Sequence, residues 1–366
     1  MLLFLIVLLA ALAFEYINGF HDTANSIATV VSTKVLTPRQ AVVLAASTNL
    51  VGALWGTAVA KTISSGLVDA KLVSTTSGII ICALLGAIIW NLVTWWFGLP
   101  SSSSHALIGG LCGSALAASG NNWHVIVWSQ PSDKHWWLGK GLLWKVIMPM
   151  VTSPIAGLIL GFCFMALLYL VLQKARPMAV NRFFGRAQMF SAAAMGFMHG
   201  TNDAQKTMGI IALTLLGATK AGRLDGLPGW LSFLHTPEPL PGKDMGIAVW
   251  IKVTCALVMA AGTAVGGWRI IKTLGHKMVK LHPINGFAAE TSSALVILAA
   301  THLGIPVSTT HNISAAIMGV GAARRLNAIK WTVVERMVWA WLLTIPVTAS
   351  MAFGMVWLGR MLGWSK

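Results

Sequence analysis

Apolar stretches of roughly 20 residues, each long enough to cross a bilayer as an α-helix, recur along this whole sequence. The pattern predicts an all-α polytopic membrane protein. Composition agrees: of 366 residues, 56% are hydrophobic and 10% charged, whereas a soluble domain carries about 25% charged residues. The 17 tryptophans suit a chain that meets two lipid–water interfaces, where Trp collects. Residues 1–14 are apolar without a basic leader or a small-residue cleavage site, so they read as part of a first membrane segment rather than a signal peptide.

The formal net charge of +16 comes from 26 Lys and Arg against 10 Asp and Glu. In a soluble protein such a surplus would indicate nucleic acid. Here the basic residues sit mostly in short loops between apolar runs, where they set topology and meet anionic lipid, and no nucleic-acid partner is expected. Cys82, Cys112, Cys163 and Cys255 lie far apart inside apolar runs, with neither metal-ligand spacing nor a disulfide framework, and read as small buried residues.

Two octets interrupt this background. Residues 98–105 read GLPSSSSH and residues 304–311 read GIPVSTTH, 206 positions apart. GTAV at 56–59 recurs at 262–265 with the same spacing, and GFHDTAN at 19–25 resembles HGTNDAQK at 199–206, pairing Asp22 with Asp203 at a spacing of 181. The two spacings differ by nearly the length of the polar loop 218–244, so the halves align with that loop as an insertion in the second. The expected division is a first repeat over 1–173, a basic linker over 174–186 and a second repeat over 187–366. The linker holds Lys174, Arg176, Arg182 and Arg186 and no acid, which predicts a cytoplasmic position. Arg269, Lys272, Lys277 and Lys280 crowd the loop 269–280, while its counterpart 63–74 holds only Asp69 and Lys71; Arg324, Arg325 and Lys330 face an uncharged counterpart at 118–124. Equivalent loops thus fall on opposite sides of the membrane, the mark of the inverted-topology repeats of secondary transporters.

About ten crossings are expected, near 1–33, 41–62, 77–97, 99–119 and 142–173, then 187–217, 247–267, 285–301, 304–322 and 333–359. Five per half would put both termini outside. The motif-bearing segments are long and interrupted by Gly, the pattern of broken or re-entrant helices. Pro149, Pro154 and Pro346 are placed to kink the last segment of each half.

Asp22, Asp203 and Glu290 are among only 10 acidic residues, and they lie in apolar segments beside Gly, Ser, Thr and Asn. An ionisable group at membrane depth costs roughly 2.5–3.5 kcal/mol on the insertion scale and commonly lines a substrate or ion path. The competing reading is a carboxylate used in helix packing or at the interface; recurrence in both halves speaks against it for Asp22 and Asp203. In the octets, Gly-X-Pro ends one helix and Ser or Thr caps the next. The free N–H groups at such a start attract anions. Ser101, Ser102, Ser103 and Ser104, with Ser308, Thr309 and Thr310, add hydroxyl donors. Two such starts from inverted halves would meet near the midplane as a nest for a tetrahedral oxyanion. Ser/Thr packing between membrane helices is the alternative. Thr23, Asn25 and Asn202, beside the aspartates, join the candidate substrate ligands. His105 and His311, one turn into their helices, bond backbone or relay protons, and His21 and His199 beside the aspartates have the same two readings. Lys206 stands where Asn25 stands in the first half; it pairs with Asp203 or Glu290, offsets substrate charge, or snorkels. Glu15, in the first segment, is secondary. No resident metal and no cofactor are expected.

At these residues the chain resembles a known family. NGFHDTANSIATV, GLPSSSSH, HGTNDAQKTMGI and GIPVSTTH are similar to the duplicated signatures of the inorganic phosphate transporter (PiT) family, and the resemblance covers nearly the whole chain. It implies a secondary transporter with inverted repeats, not an enzyme, that carries phosphate with a cation and often as a homodimer. GFHDTAN and NDAQK resemble the bacterial low-affinity branch, which implies coupling to H+ and acceptance of phosphate complexed with Mg2+ or another divalent metal. Glu290, in AAETSSA, resembles the sodium-coupled members. Asn49, in ASTNLVG, stands where those members commonly carry Glu, and Lys206 stands where other members carry Asn. The expectation is a phosphate importer of a bacterial-type inner membrane, coupled to H+, with Na+ symport as the alternative. In it the octets bind phosphate and Asp22, Asp203 and Glu290 hold the coupling cation, because an ionised carboxylate beside an anion needs a cation or a proton between them. Two other classes stay open. An anion channel or exporter would show no gradient-driven uptake. A membrane-embedded phosphoryl enzyme would need a nucleophile–base motif, and none supports it.

Overall fold

Residues 2–32 contain no proline and a single glycine, so nothing stops a helix, and α1 (Leu2–Ser32) runs unbroken. In this computed structural model, which describes residues 2–65, 67–68, 77–130, 139–236 and 246–363, the described residues form twelve α-helices and no strand. Pro38 at the first turn and the Thr37–Gln40 capping box start α2 (Pro38–Ala53), and α3 (Ala58–Ser65) and α4 (Ser77–Phe97) follow. The first octet leads into α5 (Ser103–Ala118), and a π-helical turn at Leu143–Ile147 leads into α6 (Met148–Leu172). The second half holds α7 (Pro177–Lys220), α8 (Val249–Val265), α9 (Trp268–Lys272), α10 (Pro283–His302), α11 (Thr309–Arg324) and α12 (Trp331–Met361). Asp69 and Lys71 of the loop 63–74, residues 131–138, and residues 237–245 of the polar insertion lie outside the described residues.

Four expectations meet a more particular structure. The basic stretch 174–186 is mostly helical: α7 starts at Pro177 and runs for 44 residues, carrying Arg182 and Arg186 on the helix. Its charges gave a loop-like reading, but Arg, Ala, Gln and Met are good helix formers. The stretch 269–280 is not a plain loop either. It forms α9 and a π-helical turn at Thr273–Lys277, with Ile270, Ile271, Thr273 and Leu274 buried. Among the described residues, length and composition mark five helices as spans, with α8 and Trp268–Lys277, bent by 58°, as a sixth, beside the ten crossings expected. Helices α5 and α11 have 16 residues each, about 24 Å, less than the roughly 30 Å hydrocarbon layer. Finally, the two GTAV segments are not equivalent in space. Gly56 lies in the break between α2 and α3, whereas Gly262 lies within α8. The first-half glycine with the matching contact is Gly52: a Cβ there would fall 2.1 Å from Phe197 O, and one at Gly262 would fall 2.1 Å from Tyr16 O. Helices α6 and α12 continue through Pro154 and Pro346.

The packing is reciprocal between halves. Helix α5 lies against α12 and α11 against α6; α1 lies against α8 and α7 against α2. Small residues permit it. A Cβ on Gly113 of α5 would sit 2.0 Å from Ala349 O of α12, and one on Gly319 of α11 would sit 2.0 Å from Leu158 O of α6. The outside is apolar, with Leu170 67% and Phe190 76% exposed, while Glu15, Asn49, Asn91, Asn202 and Glu290 are fully buried. This inversion of the soluble pattern suits a molecule surrounded by lipid, with its polar groups turned inward.

Candidate functional site

The two octets build the same device. Gly98 (φ +64°) and Gly304 (φ +62°) take the left-handed conformation that ends α4 and α10. Leu99 N–H donates to Thr94 O (2.8 Å) and Gly98 N–H to Trp95 O (3.0 Å); Ile305 N–H donates to Ala300 O (2.9 Å) and Gly304 N–H to Thr301 O (3.0 Å). Both are Schellman ends. After the proline, Ser102 and Ser308 cap the next helix, accepting from His105 N–H (3.2 Å) and His311 N–H (3.1 Å). The other N–H groups of each first turn have no partner within the helix, which gives both starts a partial positive charge. The starts meet: the rings of His105 and His311 pack edge to face with centroids 4.9 Å apart, and His311 stacks on Trp341 at 4.3 Å.

Helices α1 and α7 bring the charged residues to this junction. Thr310 Oγ1 donates to Asp22 Oδ1 (3.2 Å) and Thr309 Oγ1 to Asp203 Oδ2 (2.9 Å). Asn25 Nδ2 donates to Thr309 Oγ1 (3.0 Å) and Thr310 Oγ1 (2.9 Å). Lys206 Nζ donates to Asp203 Oδ1, to Ser104 Oγ and to Val307 O (3.1 Å). The bonds cross between halves: Asn25 reaches Thr310, and its repeat counterpart Lys206 reaches Ser104, the counterpart of Thr310. His21 Nδ1 lies 2.7 Å from Asp22 Oδ1 and its Nε2 3.1 Å from Thr94 Oγ1, to which Ser101 Oγ also donates (2.9 Å). His199 Nε2 lies 3.0 Å from Asp203 Oδ2, and its Nδ1 3.1 Å from Asn49 Oδ1.

Ligand atoms of Asp22, His199 and Asp203 all lie within 4.8 Å of one another, a spacing that can hold a cation. In the same junction, Ser103 Oγ, Asn25 Oδ1, His105 Nδ1 and both ring nitrogens of His311 are buried without a hydrogen-bond partner. Buried polar atoms are rarely left so, and here they belong to the two helix starts and the residues facing them. With neutral histidines, Asp22, Asp203 and Lys206 leave a net charge of −1. Hydroxyls and helix starts for an anion thus adjoin carboxylates for a cation.

Most candidate residues converge here, but three do other work. Thr23 Oγ1 donates to Gly19 O (2.6 Å) and is 3.4 Å from Thr263 O, holding α1 to α8. Asn202 Nδ2 donates to Thr301 Oγ1 (2.9 Å) and is 3.4 Å from Ile305 O, fixing the loop ahead of α11. Glu290 sits apart from the aspartates in their hydrogen-bond network: it accepts from Thr29, Ser191 and Gln188. Conversely, Thr94 and Thr207 had no sequence role, and Asn49 entered only through the family resemblance. The i,i+4 spacing of His199 and Asp203 was a usable signal, since it puts both on one helix face.

Residues 18–352 match the profile of the phosphate transporter family. A probable low-affinity inorganic phosphate transporter of Bacillus subtilis (strain 168) is 42% identical over 351 residues, covering 96% of this chain and 95% of that protein. Another, of Rhizobium meliloti (strain 1021), is 44% identical over 340 residues, 93% of this chain and 91% of that one. A solved structure of "the sodium-dependent phosphate transporter" superposes with a TM-score of 0.77 over 99% of this chain and 100% of that chain, at 22% identity, a likeness of fold. Each of these is named a phosphate transporter. Paired helix starts, carboxylates buried among them and relatives matched over nearly their full length give one conclusion: the chain belongs to the phosphate transporter family.

Proposed function

We propose that this protein imports inorganic phosphate by cation symport, with H+ as the coupling ion and metal–phosphate complexes among its substrates. The observation that carries the reading is the direct bonding of Asp22 and Asp203 to the hydroxyls of Thr310 and Thr309. Anion and cation sites share an edge, so filling one changes the other. A phosphate oxyanion at the helix starts is repelled by a site of net charge −1 until a positive charge or a proton arrives. Carboxylates also accept hydrogen bonds from protonated phosphate, which selects it over sulfate. Lys206 already neutralises Asp203, so uptake requires one further charge rather than two, in keeping with a proton.

The same reading takes the halves as inverted repeats of five segments, with broken helices at the octets. The reciprocal contacts α5–α12 and α11–α6, and the crossed bonds of Asn25 and Lys206, support it. Alternating access follows from rocking one bundle against the other, in an inner membrane with 174–186 on the cytoplasmic side. The test is uptake of radiolabelled phosphate into proteoliposomes with pH, sodium and magnesium gradients imposed separately. Accumulation driven by an inward proton gradient is expected. Accumulation driven by sodium alone overturns the proton assignment, and equilibration without accumulation overturns symport.

A further inference from the structure

The broken segments α2–α3 and α8–α9 make the same contacts, each with the opposite half. Each breaks at a glycine of positive φ, Gly56 (+82°) and Gly266 (+78°). The short helical piece that follows then reaches an octet. Thr62 Oγ1 of α3 donates to Gly304 O (2.7 Å), and Thr273 Oγ1, just past α9, donates to Gly98 O (2.8 Å). The carbonyl of a glycine that ends a helix lies beyond the helix's own bonds and needs a donor from elsewhere. The backbones close in as well: a Cβ on Gly304 would lie 3.1 Å from Ala58 O, and one on Gly98 3.2 Å from Arg269 O. The same pieces also touch the helices that carry the aspartates. Gln205, fully buried and next to Lys206 on α7, accepts from Val59 N–H (2.8 Å) and Ala60 N–H (3.3 Å) and donates to Trp55 O (3.3 Å), so it splints the break ahead of α3. Ahead of α9, Gly267 lies against α1, where a Cβ would fall 2.4 Å from Phe20 O, two residues before Asp22. A shift of α7 or α1 against the octets is therefore felt at Thr62 or Thr273.

We propose that Thr62 and Thr273 are positioning residues for transport, two latches that hold α3 and α9 shut over the octets, one for each face of the membrane. The inference rests on the alternating-access reading above and names the contacts that alternate. Arg269, Lys272 and Lys277 put α9 and the turn after it at the cytoplasmic face, and α3, with one basic residue, at the opposite one. The strength of the bond suits a gate. A neutral hydroxyl–carbonyl bond is weak enough to break in every cycle, and its loss shifts a two-state equilibrium about fivefold. Both latches are closed in this structure. They are not equal. Arg269 Nη1 also donates to Trp96 O (2.5 Å), with its guanidinium 4.2 Å from the Trp96 ring centroid and 5.1 Å from that of Trp95. Helix α9 thus keeps a hold on the end of α4 when the Thr273 bond is gone. At the end of α10 the comparable bond, from Lys145 Nζ to Leu303 O (3.1 Å), comes from the turn ahead of α6 rather than from α3. Loss of the Thr62 hydroxyl therefore frees its gate more fully than loss of the Thr273 hydroxyl.

Ser104→Cys, on a background with the four native cysteines replaced by alanine, reports access to the site. A membrane-impermeant methanethiosulfonate is applied to right-side-out and to inside-out vesicles without phosphate. Thr62→Val is expected to raise the labelling rate from outside about fivefold and to lower it from inside. Thr273→Val should do the reverse, with a smaller change. Thr62→Ser and Thr273→Ser keep the hydroxyl and should label like the parent. A protein merely loosened would label faster from both faces. Both rates rising together, both variants acting on one face, or no change in either overturns the proposal. An effect of Thr273→Val larger than that of Thr62→Val overturns the second hold assigned to Arg269. Alanine replaces valine where a variant fails to fold by size-exclusion chromatography. Phosphate uptake by the background protein separates the two readings. Equilibration without accumulation means that symport fails, and alternating access with it, whereas accumulation beside unmoved labelling means that the latches fail.

Discussion

Replacing Lys206 by methionine keeps most of the side-chain stem and removes the one buried ammonium at the centre of the site. Its Nζ donates to Asp203, Ser104 and Val307 O, and the pair with Asp203 is almost wholly buried, at 3% and 1% side-chain exposure. Removing one member of a buried ion pair leaves an uncompensated charge, at a cost of about 3–5 kcal/mol. Asp203 would keep the Thr309 hydroxyl at 2.9 Å and the His199 ring at 3.0 Å, which offsets part of that loss and favours the lower end, about 3 kcal/mol. Adding Asp203→Asn removes the stranded charge. The double variant should therefore be more stable than K206M alone, with a coupling of about 2–3 kcal/mol in the cycle. Unfolding of the four proteins in detergent micelles, followed by tryptophan fluorescence, measures both quantities. A K206M midpoint indistinguishable from wild type, or a double variant whose loss is the sum of the two single losses, would refute the claim that this pair organises the junction.

The hydroxyls of the octets should separate by role. Ser102→Ala and Ser308→Ala remove helix caps and cost about 1 kcal/mol of stability each, whereas Ser103→Ala loses a hydroxyl without a protein partner and should lower phosphate affinity about tenfold with little change in unfolding. Asp22→Asn keeps shape and an acceptor oxygen but loses the charge; it should abolish gradient-driven accumulation, measured in proteoliposomes, with protein still reaching the membrane. Gly113→Ala would place a Cβ 2.0 Å from Ala349 O and should destabilise by about 1–3 kcal/mol, seen as reduced folded yield by size-exclusion chromatography, while Gly120→Ala, with open space around it but φ at +67°, should cost less.

Much of the site was legible because its signals are local. Helix ends, caps and breaks depend on a few consecutive residues, so GLPSSSSH and GIPVSTTH specified a helix stop and a capped restart before any tertiary contact was known, and the structure has both. Asp22, Asp203, Asn25 and Lys206 were legible because a charged or amide group in an apolar run is costly and recurs here at corresponding places. Which oxygen meets which hydroxyl was not, since Thr310 and Asp22 are 288 residues apart and only the packing of α1 against the start of α11 joins them. The same holds for Thr23 and Asn202, whose polar groups are spent on backbone and on Thr301. Charge misled at 269–280, because snorkelling lets Arg and Lys sit on a helix whose other face is buried. The sequence alone therefore determined the membrane class, the paired octets and the short set of buried charges. Tertiary structure alone decided that Glu290 is saturated by three donors, because hydrogen-bond satisfaction depends on neighbours brought in by other helices.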